Sequence, residues 1–300
     1  GFDSEFFGLD PEGMTLDVDK TKAEVEDLKS QGKLPKIAMF GGSVFLFPHP
    51  VKELAEFLKG HGMHVNYDAA HVAGLIAGGK FQDPLREGTD TMTMSTHKTL
   101  FGPQGGLVLG SEEHAEPIKK AMFPGLTSSH HIHHMGAKAV AFAEALEFGK
   151  DYAEQTIKNA KALASELNNV GFKVLGEKRG YTESHQTVVN VLDYGDGGTI
   201  EADLEKANII VNRQLIPGDL KAGRHYMHPG GIRLGTSEIT RLGMKESEMK
   251  EIASLLKQVV VDKKDAGEIA AHVKEFKTDF KKTQYCFDNK LGAYEYVKLR

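Results

Sequence analysis

The sequence predicts an α/β fold with a mostly parallel sheet, and three observations carry that prediction. Short apolar runs that suit strands alternate with longer amphipathic segments that suit helices, the pattern of strand–crossover–strand units. Two of the strand-like runs end in polar residues: Met63 to Tyr67 leads into Asp68 and His71, and Thr91 to Ser95 leads into Thr96, His97 and Lys98. Glycine pairs mark the neighbouring turns, Gly41–Gly42 after one apolar run and Gly105–Gly106 before another.

The elements follow in order. Phe2 to Asp19 reads as irregular, with the turn signal Asp10-Pro11-Glu12-Gly13. Lys20 to Ser30 is an amphipathic helix, and Lys36 to Phe40 a short strand. Val51 to Lys59 is a helix with Pro50 beside its first turn. Met63 to Tyr67, Thr91 to Ser95 and Leu107 to Leu109 are strands. From Ile132 to about Asn168 the pattern is helical and rich in alanine, and its two stretches, Lys138 to Phe148 and Ala153 to Leu167, suit a long bent helix joining two domains. Strands are then expected at Phe172 to Leu175, Thr187 to Leu192, Ile209 to Val211 and Ile232 to Leu234. Helices are expected at Ile200 to Ala207, Met249 to Val260 and Ile269 to Phe280. The division falls near residue 149: residues 1–148 form the C-terminal part of a large domain and residues 149–300 a smaller α+β domain.

Composition bounds the function. The 300 residues are 40% hydrophobic and 26% charged, an ordinary globular balance. The net charge of −5 and the lack of a basic patch argue against nucleic acid as a partner. No apolar run approaches the ~20 residues that span a bilayer, so no membrane partner is expected. The single cysteine, Cys286, excludes an internal disulfide and is compatible with a reducing cytoplasm.

An acid at one strand end and a lysine at a later one suit a pyridine-ring cofactor held as a Schiff base, pyridoxal 5'-phosphate (PLP). Such chemistry needs an amine to form the imine, a carboxylate to keep the ring nitrogen protonated, and donors for the phosphate and phenolic oxygen. Lys98 fits the first role, and partial desolvation would make its amine a better nucleophile. Asp68 fits the second; His71 would face the phenolic oxygen, and Ser95 and His97 would touch phosphate or substrate. Taken singly, a lysine after a strand is ordinarily a solvated surface residue, and an Asp there a cap or turn residue. What distinguishes this chain is the ordered set D-x-x-H, S-T-H-K and G-P-x-G-G within one αβ unit.

Those motifs closely resemble serine hydroxymethyltransferase, a fold-type I PLP-dependent transferase. Its D-x-A-H-x-x-G-L-I-A stands here as DAAHVAGLIA from Asp68, and its T-T-T-H-K-T-L-x-G-P-x-G-G as STHKTLFGPQGG from Ser95. Gly41-Gly42-Ser43 resembles its G-x-S turn, Phe123-Pro124-Gly125 its F-P-G loop, and GIRLGT from Gly231 its G-I-R-x-G-T. The matches run from about residue 35 to residue 255, and FPHPV, FQDPLREG and HHIHH are most similar to the archaeal branch.

The resemblance implies the reversible conversion of serine and a tetrahydropterin (tetrahydrofolate or tetrahydromethanopterin) to glycine and the methylene-tetrahydropterin, in one-carbon metabolism, by a cytoplasmic homodimer. It implies that Lys98, Asp68, His71, Ser43, His97, Gly105 and Ser129 hold PLP, with Lys98, Asp68, His71, Ser95 and His97 in the chemistry. Arg233 would clamp the substrate carboxylate, bidentately as a planar guanidinium can. Gln214, in the loop Asn212 to Pro217, would contact the pterin; the family has asparagine there. Ser95 keeps the hydroxyl of the family's threonine, Gln104 replaces its arginine, and Ser128 and Ser129 stand where it has glycines. Taken alone, His130, His131, His133 and His134 suggest a transition-metal site, with His130 and His134 on one face if helical, but no partner carboxylate or cysteine has a matching spacing and no metal is expected.

Family members carry a sizeable segment before the point where this chain starts, so a truncated enzyme is expected. Two alternatives stay open: a PLP-dependent threonine or 3-hydroxy-amino-acid aldolase, which would need no pterin, and a truncated non-catalytic chain.

Overall fold

A computed structural model describes residues 3–11, 14–288 and 292. The chain divides into two compact units, Gly1–Lys150 and Asp151–Arg300.

The first unit begins with a two-stranded antiparallel pair, β1 (Leu9–Asp10) and β2 (Thr15–Leu16), where the sequence suggested irregular chain. Helix α1 (Val18–Ser30) is capped by Asp17, whose carboxylate accepts the Lys20 N–H at 2.9 Å. Strand β3 (Ile37–Gly41) is followed by α2 (Val51–Gly60), β4 (His64–Asp68), the short helices α3 (Ala73–Ala77) and α4 (Pro84–Glu87), β5 (Thr91–Ser95), β6 (Gly106–Gly110) and α5 (Ala115–Lys120). The sheet order is β3-β4-β5-β6. The first three strands are parallel neighbours, and β6 returns antiparallel to β5. Only ten residues separate Ser95 from Gly106, too few for a parallel crossover with its helix.

Helix α2 forms because Val51, Leu54, Ala55 and Leu58 recur at i, i+3, i+4 and i+7, and all four are buried. It packs on β4 and against α1 and α4. Val65 and Tyr67 of β4 and Phe40 of β3 complete this core. Asp90 fixes the entry to β5: its carboxylate accepts the Val65 N–H at 2.8 Å and pairs with Lys59 at 3.4 Å.

Helix α6 (Ile132–Asn169) is a single helix of 38 residues, running through both stretches as expected. The second unit continues with β7 (Lys173–Val174), β8 (Gln186–Asn190), α7 (Gly197–Lys206), β9 (Asn212–Gln214), β10 (Gly231–Gly235), α8 (Ser237–Arg241), α9 (Glu246–Val260) and α10 (Ala266–Phe276). Its sheet, β7-β8-β10-β9, is antiparallel throughout. Leu163 and Leu167 of α6, Ile200 and Leu204 of α7, Ile232 of β10, and Met249, Leu256 and Val260 of α9 form its core. Asp196 caps α7 by accepting the N–H groups of Gly198 and Thr199 at 2.9 and 3.2 Å. Desolvation raises its carboxyl, but the bonds from the Thr199 hydroxyl and N–H, the His228 ring and the Gly198 N–H outweigh it and hold the carboxyl at about 2. The strand expected at Ile209 to Val211 lies three residues later, because β9 is set by pairing of Asn212, Arg213 and Gln214 with Arg233, Ile232 and Gly231.

Candidate active site

Three parallel strands end side by side in the first unit, with Gly41, Asp68 and Thr93 in register. The residues following those ends therefore share one edge of the sheet, the carboxyl edge where open α/β sheets bind ligands. Ser43 comes from the end of β3, Asp68 and His71 from the end of β4, and Ser95, His97 and Lys98 from the end of β5. Gly105 joins them because β6 runs back antiparallel, with Gly106 opposite Ser95.

Local bonds fix each approach. Asp68 Oδ1 accepts the Ala70 N–H at 3.0 Å, which turns the chain after β4 and leaves Oδ2 as a second acceptor. The turn after β3 is pressed against the same point. Gly41 has φ +97°, and a Cβ on it would lie 2.2 Å from the Asp68 carbonyl oxygen, so only glycine fits.

The Lys98 loop is pinned on both sides. Buried Thr96 donates its hydroxyl to Pro103 O at 2.7 Å, and Gly102 N–H returns to Thr96 O at 2.6 Å. Buried Thr99 donates to His71 O at 2.8 Å and accepts the Gly74 N–H at 3.0 Å. The stretch between these anchors is half-buried Lys98 and exposed His97. The Lys98 side chain takes part in no hydrogen bond or ion pair among the described residues, so its amine is not committed elsewhere. His97 Nδ1 lies 3.3 Å from Gly105 O and 3.4 Å from Gly105 N, which ties this loop to the start of β6.

Gly74 marks how closely α3 meets the lysine loop: a Cβ there would sit 2.0 Å from Thr99 O and 2.3 Å from Thr99 C. Gly74→Ala is expected to force the two backbones apart and to destabilise the chain by about 3 kcal/mol, read as a lowered denaturant midpoint.

The other expected site residues lie elsewhere. Ser129 is in the exposed stretch between Leu126 and Ile132, with no hydrogen bond to this edge among the described residues. Arg233 and Gln214 belong to the second unit, on the adjacent strands β10 and β9. Arg233 donates from Nη2 to Asn212 Oδ1 at 3.0 Å, and burial lowers its guanidinium from the ordinary value. Gln214 Nε2 donates to Leu215 O at 2.9 Å.

His130 and His131 precede α6, so His130 and His134 do not share a helical face as the spacing suggested. The rings of His131, His133 and His134 cluster with centroids 4.4–5.5 Å apart. Among the described residues no group of three or more His, Cys, Asp or Glu is arranged to hold a metal.

Two further residues reach this edge without being among those expected from the sequence. Lys138 of α6 has its Nζ 2.5 Å from the position a Gly105 Cβ would take, which puts a cation at this edge. His49 accepts the Gly41 N–H. Both act through contacts between residues distant in the chain, which the motifs themselves do not display.

Residues 1–256 match the family model described as serine hydroxymethyltransferase. The whole chain aligns with the serine hydroxymethyltransferase of Nitrosopumilus maritimus at 74% identity over 300 residues, covering 68% of that protein. The serine hydroxymethyltransferase of Methanopyrus kandleri is 48% identical over 299 residues, again with 68% of it covered. Among solved structures, L-threonine transaldolase from Pseudomonas fluorescens in its internal aldimine state superposes with a TM-score of 0.82 at 31% identity, over 95% of this chain and 63% of that one. The chain thus spans about two thirds of the length of these relatives.

Proposed function

This chain belongs to the serine hydroxymethyltransferase family, and on that premise we propose that it catalyses the reversible transfer of the serine hydroxymethyl carbon to a tetrahydropterin, giving glycine and the methylene-tetrahydropterin. Its fold is the α/β fold-type I of PLP-dependent transferases, and its cofactor is PLP. The observation that carries the proposal is the convergence of Ser43, Asp68 and Lys98 at the ends of three adjacent strands.

The residues present fit the cofactor. Lys98 offers an uncommitted amine, Asp68 Oδ2 a second carboxylate acceptor, and the Gly41 turn a backbone that approaches Asp68 without a side chain between. When bound, PLP acts as an electron sink that weakens bonds at the substrate α-carbon.

The chain's own groups do the rest. Lys98 would hold the cofactor through its Nζ. Asp68, as a carboxylate, keeps a proton on the ring nitrogen and so preserves the ring's electron demand. Ser43 and His71 would hold the phenolic oxygen, Ser129 would serve the phosphate of the neighbouring subunit's site, and Gly105 would give a backbone surface without a side chain. Ser95 and His97 orient the groups around Lys98. Arg233 clamps the substrate carboxylate through its planar fork, with Asn212 orienting the guanidinium, and Gln214 contacts the pterin. We place the enzyme in the cytoplasm as a homodimer, supported by its lone cysteine and by its family. No helix among the described residues is long and apolar enough to cross a membrane.

The transaldolase likeness favours one rival, a 3-hydroxy-amino-acid aldolase without a pterin. The test is glycine formation from L-serine with and without tetrahydrofolate or tetrahydromethanopterin, beside L-threonine cleavage without either. Serine turnover that needs the pterin is expected. Threonine cleavage that outpaces it without a pterin would support the aldolase.

A further inference from the structure

His49 lies in the FPHPV stretch but is not among the residues expected to hold the cofactor or substrate, yet it meets the site from behind. Its Nδ1 accepts the Gly41 N–H at 3.3 Å. Gly41 and Gly42, with φ of +97° and +139°, form the turn that delivers Ser43 to the carboxyl edge. That turn leaves no room for a Cβ between Gly41 and the Asp68 carbonyl. Whatever sets Gly41 therefore sets Ser43 relative to Asp68.

His49 is itself held on every side. The amide of Gln82 clamps its backbone: Oε1 accepts the His49 N–H at 2.9 Å, and Nε2 donates to His49 O at 3.0 Å. The same amide takes the Tyr67 hydroxyl at 2.7 Å on Oε1 and gives its second N–H to Glu87 Oε2 at 2.7 Å. Two bonds received and two given use the full capacity of a glutamine side chain. Tyr67 is the residue before Asp68, so one node joins the β3 turn to the strand that carries the acid. The imidazole packs tilted against Phe45 at 4.8 Å between ring centroids, and Phe45 in turn stacks on Tyr67 at 5.7 Å. Burial lowers the imidazole to about 4, so the ring is neutral at pH 7. With Nδ1 accepting, the proton resides on Nε2.

We propose that His49 is a positioning residue, which fixes the Gly41–Ser43 turn against Asp68 and so shapes the side of the cofactor pocket that faces the phenolic oxygen. The proposal rests on the PLP assignment above for its consequence, but not for its geometry.

Two variants of the full chain separate the ring from the acceptor. His49→Phe keeps an aromatic ring beside Phe45 and removes the acceptor. His49→Asn loses the ring and returns an acceptor at the reach of Nδ1. Gly41 amide hydrogen exchange reads the turn, and PLP titration by visible absorbance reads the pocket. In His49→Phe, Gly41 exchange is expected to speed up about tenfold and PLP binding to weaken about tenfold, as befits a donor left without its partner. In His49→Asn both should return toward the parent values even though more packing is lost. Unchanged Gly41 protection in His49→Phe overturns the proposal, as does lost protection with PLP affinity intact. Failure of Asn to restore Gly41 protection overturns it too, because a role in packing alone predicts Asn to be the worse variant. If the parent chain takes up no PLP, it is the cofactor assignment for this chain that fails; Gly41 exchange then decides whether His49 sets the turn.

Discussion

Lys98→Ala is expected to abolish covalent capture of PLP while leaving the fold intact. Borohydride reduction followed by peptide mapping should find the pyridoxyl adduct on Lys98 in the parent chain and on no lysine in the variant. Serine turnover should fall by on the order of 10³-fold or more, about 4 kcal/mol or more in the barrier. The geometry allows so clean a separation. The loop around Lys98 is held by Thr96, Thr99 and the Gly102 N–H, and the Lys98 side chain contributes to none of these bonds. Truncating a half-buried side chain outside such a network should cost no more than ~0.5 kcal/mol. Lys98→Arg sharpens the result. It keeps a positive charge at the strand end, but a guanidinium stays protonated at neutral pH and offers no nucleophilic nitrogen. Capture by the arginine variant, or an adduct on Lys138 in the parent, would remove Lys98 from its assigned role.

The reach of the sequence differs between the edge of the sheet and what lies behind it. Thr91–Ser95 was legible residue for residue because a β-branched and apolar run ends there in a polar cluster. The helix over Val51–Gly60 was legible through its apolar stripe. The strand at Asn212–Gln214 was misplaced onto Ile209 to Val211, because local apolarity marked Val211, which is buried without being in a strand. Pairing with β10 decides the register there, and pairing is not a local property. The short helices Ala73–Ala77 and Pro84–Glu87 span too few turns to show a period. The pair β1 and β2 has only two residues in each strand, so alternation had nothing to register in. The antiparallel return of β6 follows from loop length, which glycine content alone does not reveal. Of the proposed site residues, Asp68 and Lys98 can be picked out by residue type at strand ends. His49, Gln82 and Lys138 act through contacts with residues 8, 33 and 33 positions away, and a single sequence does not display such pairs.

Asp68→Asn is expected to leave PLP on Lys98 and yet lower turnover by about 10²–10⁴-fold, the range for loss of a positioned proton-holding group. The reasoning starts from which oxygen does what. Oδ1 supports the chain by accepting the Ala70 N–H at 3.0 Å. Asparagine retains an oxygen for that bond, so the turn after β4 and the register Gly41↔Asp68↔Thr93 should survive. What is lost is the charge. A neutral amide no longer favours a proton on the ring nitrogen, so the ring withdraws electrons less strongly when the α-carbon bond must weaken. Asp68→Ala removes both functions and should cost about a further 1 kcal/mol of stability through the unsatisfied Ala70 donor. Three chains thus give three signatures: the parent with capture and turnover, asparagine with capture and little turnover, and alanine with weakened capture and a lower denaturant midpoint. Turnover in Asp68→Asn equal to the parent would show that the carboxylate holds the turn and nothing more, and the proton on the ring would then need another keeper.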